Sequence, residues 1–173
     1  MEYLMTYGWA LLVIVIVITI LLIINPFSAP QGCRFDQIGF TCSNPVVTTS
    51  GSLYLSVANN NNNAVTIKAV KCTTDKSQTA PAAPSTLLTI PMPRSGTLEL
   101  SNITGGVTCT KPDGSAFSGT AGSEFSGKVW IYYRNDEDAS NYPLRITSAN
   151  VVTKAVPAGS SPSPSPSGSE ASG

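Results

Sequence analysis

"SLYLSVANNNNNAVTIKAVKC", residues 52–72, carries the reading on which the fold turns. Leu53, Leu55 and Val57 alternate with other residues, so a period of two places them on one face of a strand. After five asparagines, Asn59 to Asn63, the period resumes: Val65, Ile67 and Ala69 fall on one face, Val70 and Cys72 on the other. Two alternating runs joined by turn-forming residues predict a β-hairpin with a longer loop. Asparagine tolerates left-handed backbone, so the run reads as a turn rather than a ligand site.

The same texture extends outward. "TLLTIPMP" (86–93) and "TLELSNI" (97–103) are further short strands, with Pro91 and Pro93 marking an edge or a break because proline cannot donate to a ladder. "GKVWIYYRN" (127–135) alternates Val129, Ile131 and Tyr133 against Trp130 and Tyr132. "DEDASN" (136–141) turns the chain, and "YPLRITSANVVTKAV" (142–156) returns as one or two strands. Six to eight short strands with no helical period after residue 25 predict an antiparallel β-sandwich, Ig-like in character, over residues 33–156.

Composition narrows the function. Ten Lys and Arg balance ten Asp and Glu, so no long-range field draws in nucleic acid or an anionic surface. Charged residues are only 12% of the chain, and its polarity comes mainly from Ser, Thr, Asn and Gly, as suits an exposed β-rich protein. Histidine is absent, which removes the commonest acid–base and metal chemistry. Phosphate-cradling glycine loops and nucleophile elbows are also missing. The reading is therefore no enzyme, no cofactor and no metal. Asp136, Glu137, Asp138 and Asn141 gather oxygens but lack calcium-loop spacing, and a solvated hairpin tip accounts for them better.

The four cysteines, Cys33, Cys42, Cys72 and Cys109, show no C-x-x-C spacing. An even number in a chain with exported character predicts two disulfides. Three pairings are open, and the tight loop "CRFDQIGFTC" favours Cys33 with Cys42, leaving Cys72 with Cys109. "NIT" makes Asn102 a candidate N-glycosylation site in an extracytoplasmic domain. From Pro157 the Ser/Pro-rich stretch 157–173 cannot bury apolar surface and reads as a disordered tail, with Ser161, Ser163 and Ser165 as candidate O-glycosylation sites.

The amino-terminal segment is of another kind. "MEYLMTYGWALLVIVIVITILLIIN" (1–25) has one carboxylate, Glu2, and no Lys or Arg before Arg34. A helix of about 37 Å, at 1.5 Å per residue, crosses a hydrocarbon core of about 30 Å. Having no polar stripe, it calls for lipid or other helices on every side. Asn25-Pro26 ends it, and residues 26–32 form a hinge. Tyr3, Tyr7 and Trp9 make an interfacial belt, and Gly8 permits close helix approach. A cleavable secretory signal is disfavoured: there is no basic start and no prompt small-residue cleavage site.

Over about its first 18 residues, "MEYLMTYGWALLVIVIVI", the chain resembles the amino-terminal helix of archaeal type IV pilins with class III signal peptides. The likeness runs more loosely through the proline hinge and "GFTCSNPVV" into the alternating strands. The resemblance implies a prepilin embedded in the cell membrane and cut by a dedicated prepilin peptidase. With the assembly machinery, subunits would then form a helical homopolymer whose helices pack in the core and whose β-domains coat an extracellular surface filament, serving adhesion to host or surface ligands. It places Glu2, Tyr3, Tyr7, Gly8, Trp9, Leu12, Ile16 and Ile20 in the filament core. The family's basic leader is missing, as expected for a mature chain or an internal start, and Glu2 lies nearer the terminus than the family's glutamate. The rival readings are a single-pass anchored β-sandwich surface-binding protein and a minor pilin that primes or caps a secretion apparatus.

Overall fold

The computed structural model describes residues 2–24, 30–77 and 79–159, with side chains of the first segment described over 7–23. It divides into two compact units, Met1–Pro30 and Gln31–Gly173. The first holds α1 (Glu2–Ile24), the second nine strands among the described residues. In chain order these are β1 (Gly32–Phe35), β2 (Phe40–Thr48), β3 (Ser52–Asn59), β4 (Val65–Thr73), β5 (Ile90–Met92), β6 (Thr97–Glu99), β7 (Val107–Thr110), β8 (Glu124–Asn135) and β9 (Arg145–Val156). A 3-10 turn, Leu100–Asn102, follows β6.

Six strands close on themselves: β2 pairs with β3, β3 with β7, β7 with β4, β4 with β8, β8 with β9, and β9 with β2. Two of these pairings, β2–β9 and β4–β7, are parallel and only two residue pairs long; the other four are antiparallel. β1, β5 and β6 add to β9, β4 and β3 from outside the ring.

The expected α+β architecture of a long helix on an antiparallel sandwich is therefore corrected. The chain is mostly β, 45% strand against 14% helical, with one short helix and a closed six-stranded barrel. Alternation shows that each strand has a buried face. It does not show whether the strands stop as two open sheets or meet at both edges. That is decided by two short parallel contacts between strands far apart in sequence.

The predicted hairpin across the asparagines is also corrected. β3 and β4 are not partners: β3 lies between β2 and β7, β4 between β7 and β8. The hairpin is instead β2–β3, turning at 49–51 with Val47 opposite Leu53. A bulge makes a further difference in β4. Its register with β8 steps between Ile67, opposite Tyr133, and Ala69, opposite Tyr132. The extra residue reverses the parity, so Val70 and Cys72 pack with Val65 and Ile67, while Ala69 moves to the other face.

The barrel interior is filled by Leu53, Leu55 and Val57 from β3, Val65 and Ile67 from β4, Val129 and Ile131 from β8, and Val151 from β9, all buried. Each such side chain contributes about 1.5–3 kcal/mol by leaving water. Phe40 meets Tyr133 edge-on at 4.9 Å, and Phe117 meets Phe125 at 5.0 Å. On the opposite face of β8, Trp130 and Tyr132 pack with Ala69, Ala80 and Leu144. The segment between β4 and β5 covers this second cluster: the Tyr132 hydroxyl donates to the Pro81 carbonyl, and Lys71 Nζ donates to the Ala82 carbonyl at 2.5 Å.

Candidate functional site

The helix presents apolar surface in all directions. Every described side chain from Tyr7 to Ile23 is exposed, including Trp9, Leu12, Ile16 and Ile20. Gly8 has open space around the position a Cβ would take. Between Ala10 and Ile23 one polar side chain interrupts the run, and it is satisfied within the helix: the Thr19 hydroxyl donates to the Val15 carbonyl at 2.6 Å. Glu2 and Tyr3 belong to α1, but their side chains lie outside those described. Among the described residues no helix is long and apolar enough to cross a membrane. The reading of residues 1–25 as a span therefore rests on the sequence.

Both disulfides are present. Cys33–Cys42 ties β1 to β2, and Cys72–Cys109 ties β4 to β7. The second pair sits at one of the two parallel closures, where Cys72 is the direct partner of Cys109.

The acidic turn after β8 is a set of local contacts. Asp136 accepts from the Thr66 hydroxyl at 2.7 Å, Glu137 from Asn63 Nδ2 at 2.8 Å, and Asp138 pairs with Arg145 at 3.0 Å. The hydrogen bond from Arg145 holds the Asp138 carboxyl below the usual carboxylate range. Among the described residues no group of three metal-ligating side chains converges. Asn141 is exposed.

One member of the asparagine run is buried. Asn59 is fully buried, and its Nδ2 donates to the carbonyls of Asn63, Met92 and Pro93 at 3.1–3.3 Å. Its Oδ1 accepts from the amide and side chain of Asn61. These bonds hold the passage between β3 and β4, two strands that do not pair.

Sequence reasoning missed a polar network on the face of β8 that carries Trp130. Lys128 is 2% exposed, its Nζ 3.4 Å from Asp36 Oδ2 and 5.1 Å from the Trp130 ring centre. Asp36 also accepts from the Ser148 hydroxyl and Asn150 Nδ2, each at 2.7 Å. The Ser148 bond is the largest cause of a lowered Asp36 pKa; Lys128's charge and the Asn150 amide add to it against partial burial. The signal was available: Lys128 has the same parity as Trp130 and Tyr132 in "KVWIYY".

A groove of about 430 Å³ opens beside the Cys72–Cys109 closure. β4 and β7 form one side of it, with Lys71 and Thr73 from the first and Thr108 and Thr110 from the second. Asp75, Lys111 and Trp130 complete its chemistry. Asn102 is exposed at the end of the 3-10 turn, so its sequon is accessible. Ser161, Ser163 and Ser165 lie outside the described residues.

No protein-family model, characterised protein or solved structure matches the chain.

Proposed function

We propose that the chain is a structural subunit of an extracellular filament of the archaeal type IV pilus kind. Its helices pack with those of other copies in the core, and its barrels form the adhesive outer surface. One observation carries the reading: α1 is apolar on all sides, and its described side chains are exposed throughout. A helix that only docked on its own domain would need one apolar stripe. One that meets lipid first and identical helices later needs an apolar surface all round. Between lipid and a helix bundle the hydrophobic gain is small, so close packing summed over many contacts would hold the core. The contact between copies would be heterologous and non-closing, as open helical filaments require.

Two further features support it. The disulfide-tied barrel suits an oxidising exterior. The amino-terminal residues resemble those of archaeal type IV pilins, whose subunits pass through the membrane and a prepilin peptidase before assembly.

The test is electron microscopy of material sheared from cells, with mass spectrometry of the same fraction. Thin helical filaments made of this chain are expected. Recovery only from the membrane pellet, as a detergent-soluble monomer, would overturn the filament and leave an anchored surface protein.

A further inference from the structure

We propose that the groove beside the Cys72–Cys109 closure is a binding site for an acidic saccharide, a sugar ring bearing a carboxylate. This inference names a ligand class for the adhesive surface, and it rests on the barrel unit alone, so it stands whether or not the helices build a filament.

The groove exists because β4 and β7 run parallel for only two residue pairs, Cys72 with Cys109 and Thr73 with Thr110. The disulfide fixes the strands there, with Cα atoms 4.3 Å apart. Hydrogen bonds hold the two flanking walls. The Asp75 amide donates to Thr73 Oγ1 at 3.0 Å and the Ser77 amide to Asp75 Oδ1 at 2.9 Å, ordering the chain as it leaves β4. On the β7 side, Lys111 donates its amide to the Ser115 carbonyl at 2.8 Å, and Gly114 donates back to the Lys111 carbonyl at 2.9 Å. The concavity is thus preformed, and about 430 Å³ lies within the range of about 300–1,000 Å³ typical of small-ligand sites.

Three features of the lining select the ligand. Threonine and serine hydroxyls crowd the rim, from Thr73, Ser77, Thr79, Thr108 and Thr110, and both donate and accept, matching the hydroxyls of a sugar. Half-buried Val70, with the small exposed parts of Val107 and Trp130, gives the lining an apolar area for the C–H face of a sugar ring. Among the side chains that line the groove, Lys71 and Lys111 outnumber Asp75, so the lining itself has one positive charge in excess; Lys71 Nζ also donates to the Ala82 carbonyl, and Lys111 lies near the carboxylate of Asp113. A neutral sugar would leave that excess unused. A small inorganic anion would leave the hydroxyl rim and apolar floor unused.

The test uses the full chain dispersed in a non-glycosidic detergent, followed by saturation-transfer NMR with three probes: glucuronate, glucose and inorganic phosphate. Glucuronate is expected to bind, with its ring protons nearest the protein and affinity above that of glucose. Lys111→Ala should weaken it about tenfold by removing a charge-assisted bond, and Lys111→Arg should restore most of the loss. The turn at Lys111 is closed by backbone bonds, so these variants keep the fold. No transfer to glucuronate, equal binding of glucose, displacement by equimolar phosphate, or an unchanged Lys111→Ala would each overturn the proposal. Filaments do not enter this measurement, so its result is distinct from that of the shearing experiment.

Discussion

Cys72 lies directly opposite Cys109, with Cα atoms 4.3 Å apart, at the point where β4 and β7 meet in parallel and close the barrel. Only one other residue pair, Thr73 with Thr110, makes that closure. The covalent bond thus reinforces one of the three ladders of the ring, β4–β7, β2–β9 and β3–β7, that are only two residue pairs long. The other parallel closure, Val47 with Ala155 and Thr48 with Val156, has no such bond.

The two disulfides should therefore differ in weight. Cys72–Cys109 spans 37 residues and Cys33–Cys42 spans 9. Loop-closure entropy alone predicts losses of roughly 4 and roughly 2.5 kcal/mol for the paired alanine variants. Denaturant unfolding of the full chain should rank them in that order, and the reverse order would show that the β4–β7 closure is held by packing instead.

Asp36 should make stability depend on acid pH. Its folded pKa is depressed, chiefly by the Ser148 hydrogen bond and then by Lys128's charge. The unfolded chain binds its proton near pH 3.9, so the contribution is full above that value and is lost as pH falls through the lowered folded pKa. Asp36→Asn should lower the unfolding midpoint at pH 6, and the gap from the parent should narrow towards pH 2. A constant gap would mean that the carboxylate's charge is not what stabilises.

The five asparagines should not be equivalent. Asn59→Ala strands three carbonyls in a buried site and should cost about 2–4 kcal/mol. Asn62 is exposed, and its alanine variant should fall within about 0.5 kcal/mol of the parent. Thermal melts of the two variants make the comparison, and equal losses would contradict the role given to Asn59.

Gly127 should resist any side chain. A Cβ there would lie 2.7 Å from the Thr73 carbonyl oxygen and 2.6 Å from the Phe125 ring. Gly127→Ala should cost about 1–3 kcal/mol by forcing β4 from β8. Gly105→Ser, in open space but at φ +88°, tests backbone strain without a clash. Similar losses at both sites would show that the close approach at Gly127 matters little.

On the helix, Ile16→Lys places a charge in the middle of an apolar run and should cost about 2.5–3.5 kcal/mol in a bilayer. On the proposed filament reading, cells bearing it should shed few or no filaments. Glu2→Ala should leave the protein in the membrane fraction but impair assembly, read by the yield of sheared material. Normal filaments from Glu2→Ala would remove any role for that carboxylate.

The sequence by itself determined the local facts. An apolar run with no charge between Glu2 and Arg34 dictated a helix with no polar stripe, and the period of two dictated which of Leu53, Leu55, Val129 and Ile131 face inward. Both follow from spacing along the chain. Tertiary structure alone decided the rest. The bulge after Ile67 sends Ala69 to the outer cluster, because a single extra residue reverses parity and composition does not mark it. Asn59–Asn63 became a passage between unpaired strands, since a run that permits a hairpin also permits a crossing. Closure of the barrel, the Asp36–Lys128 network and the groove beside Cys72–Cys109 each join strands separated by tens of residues, and no local period records which distant partners will meet.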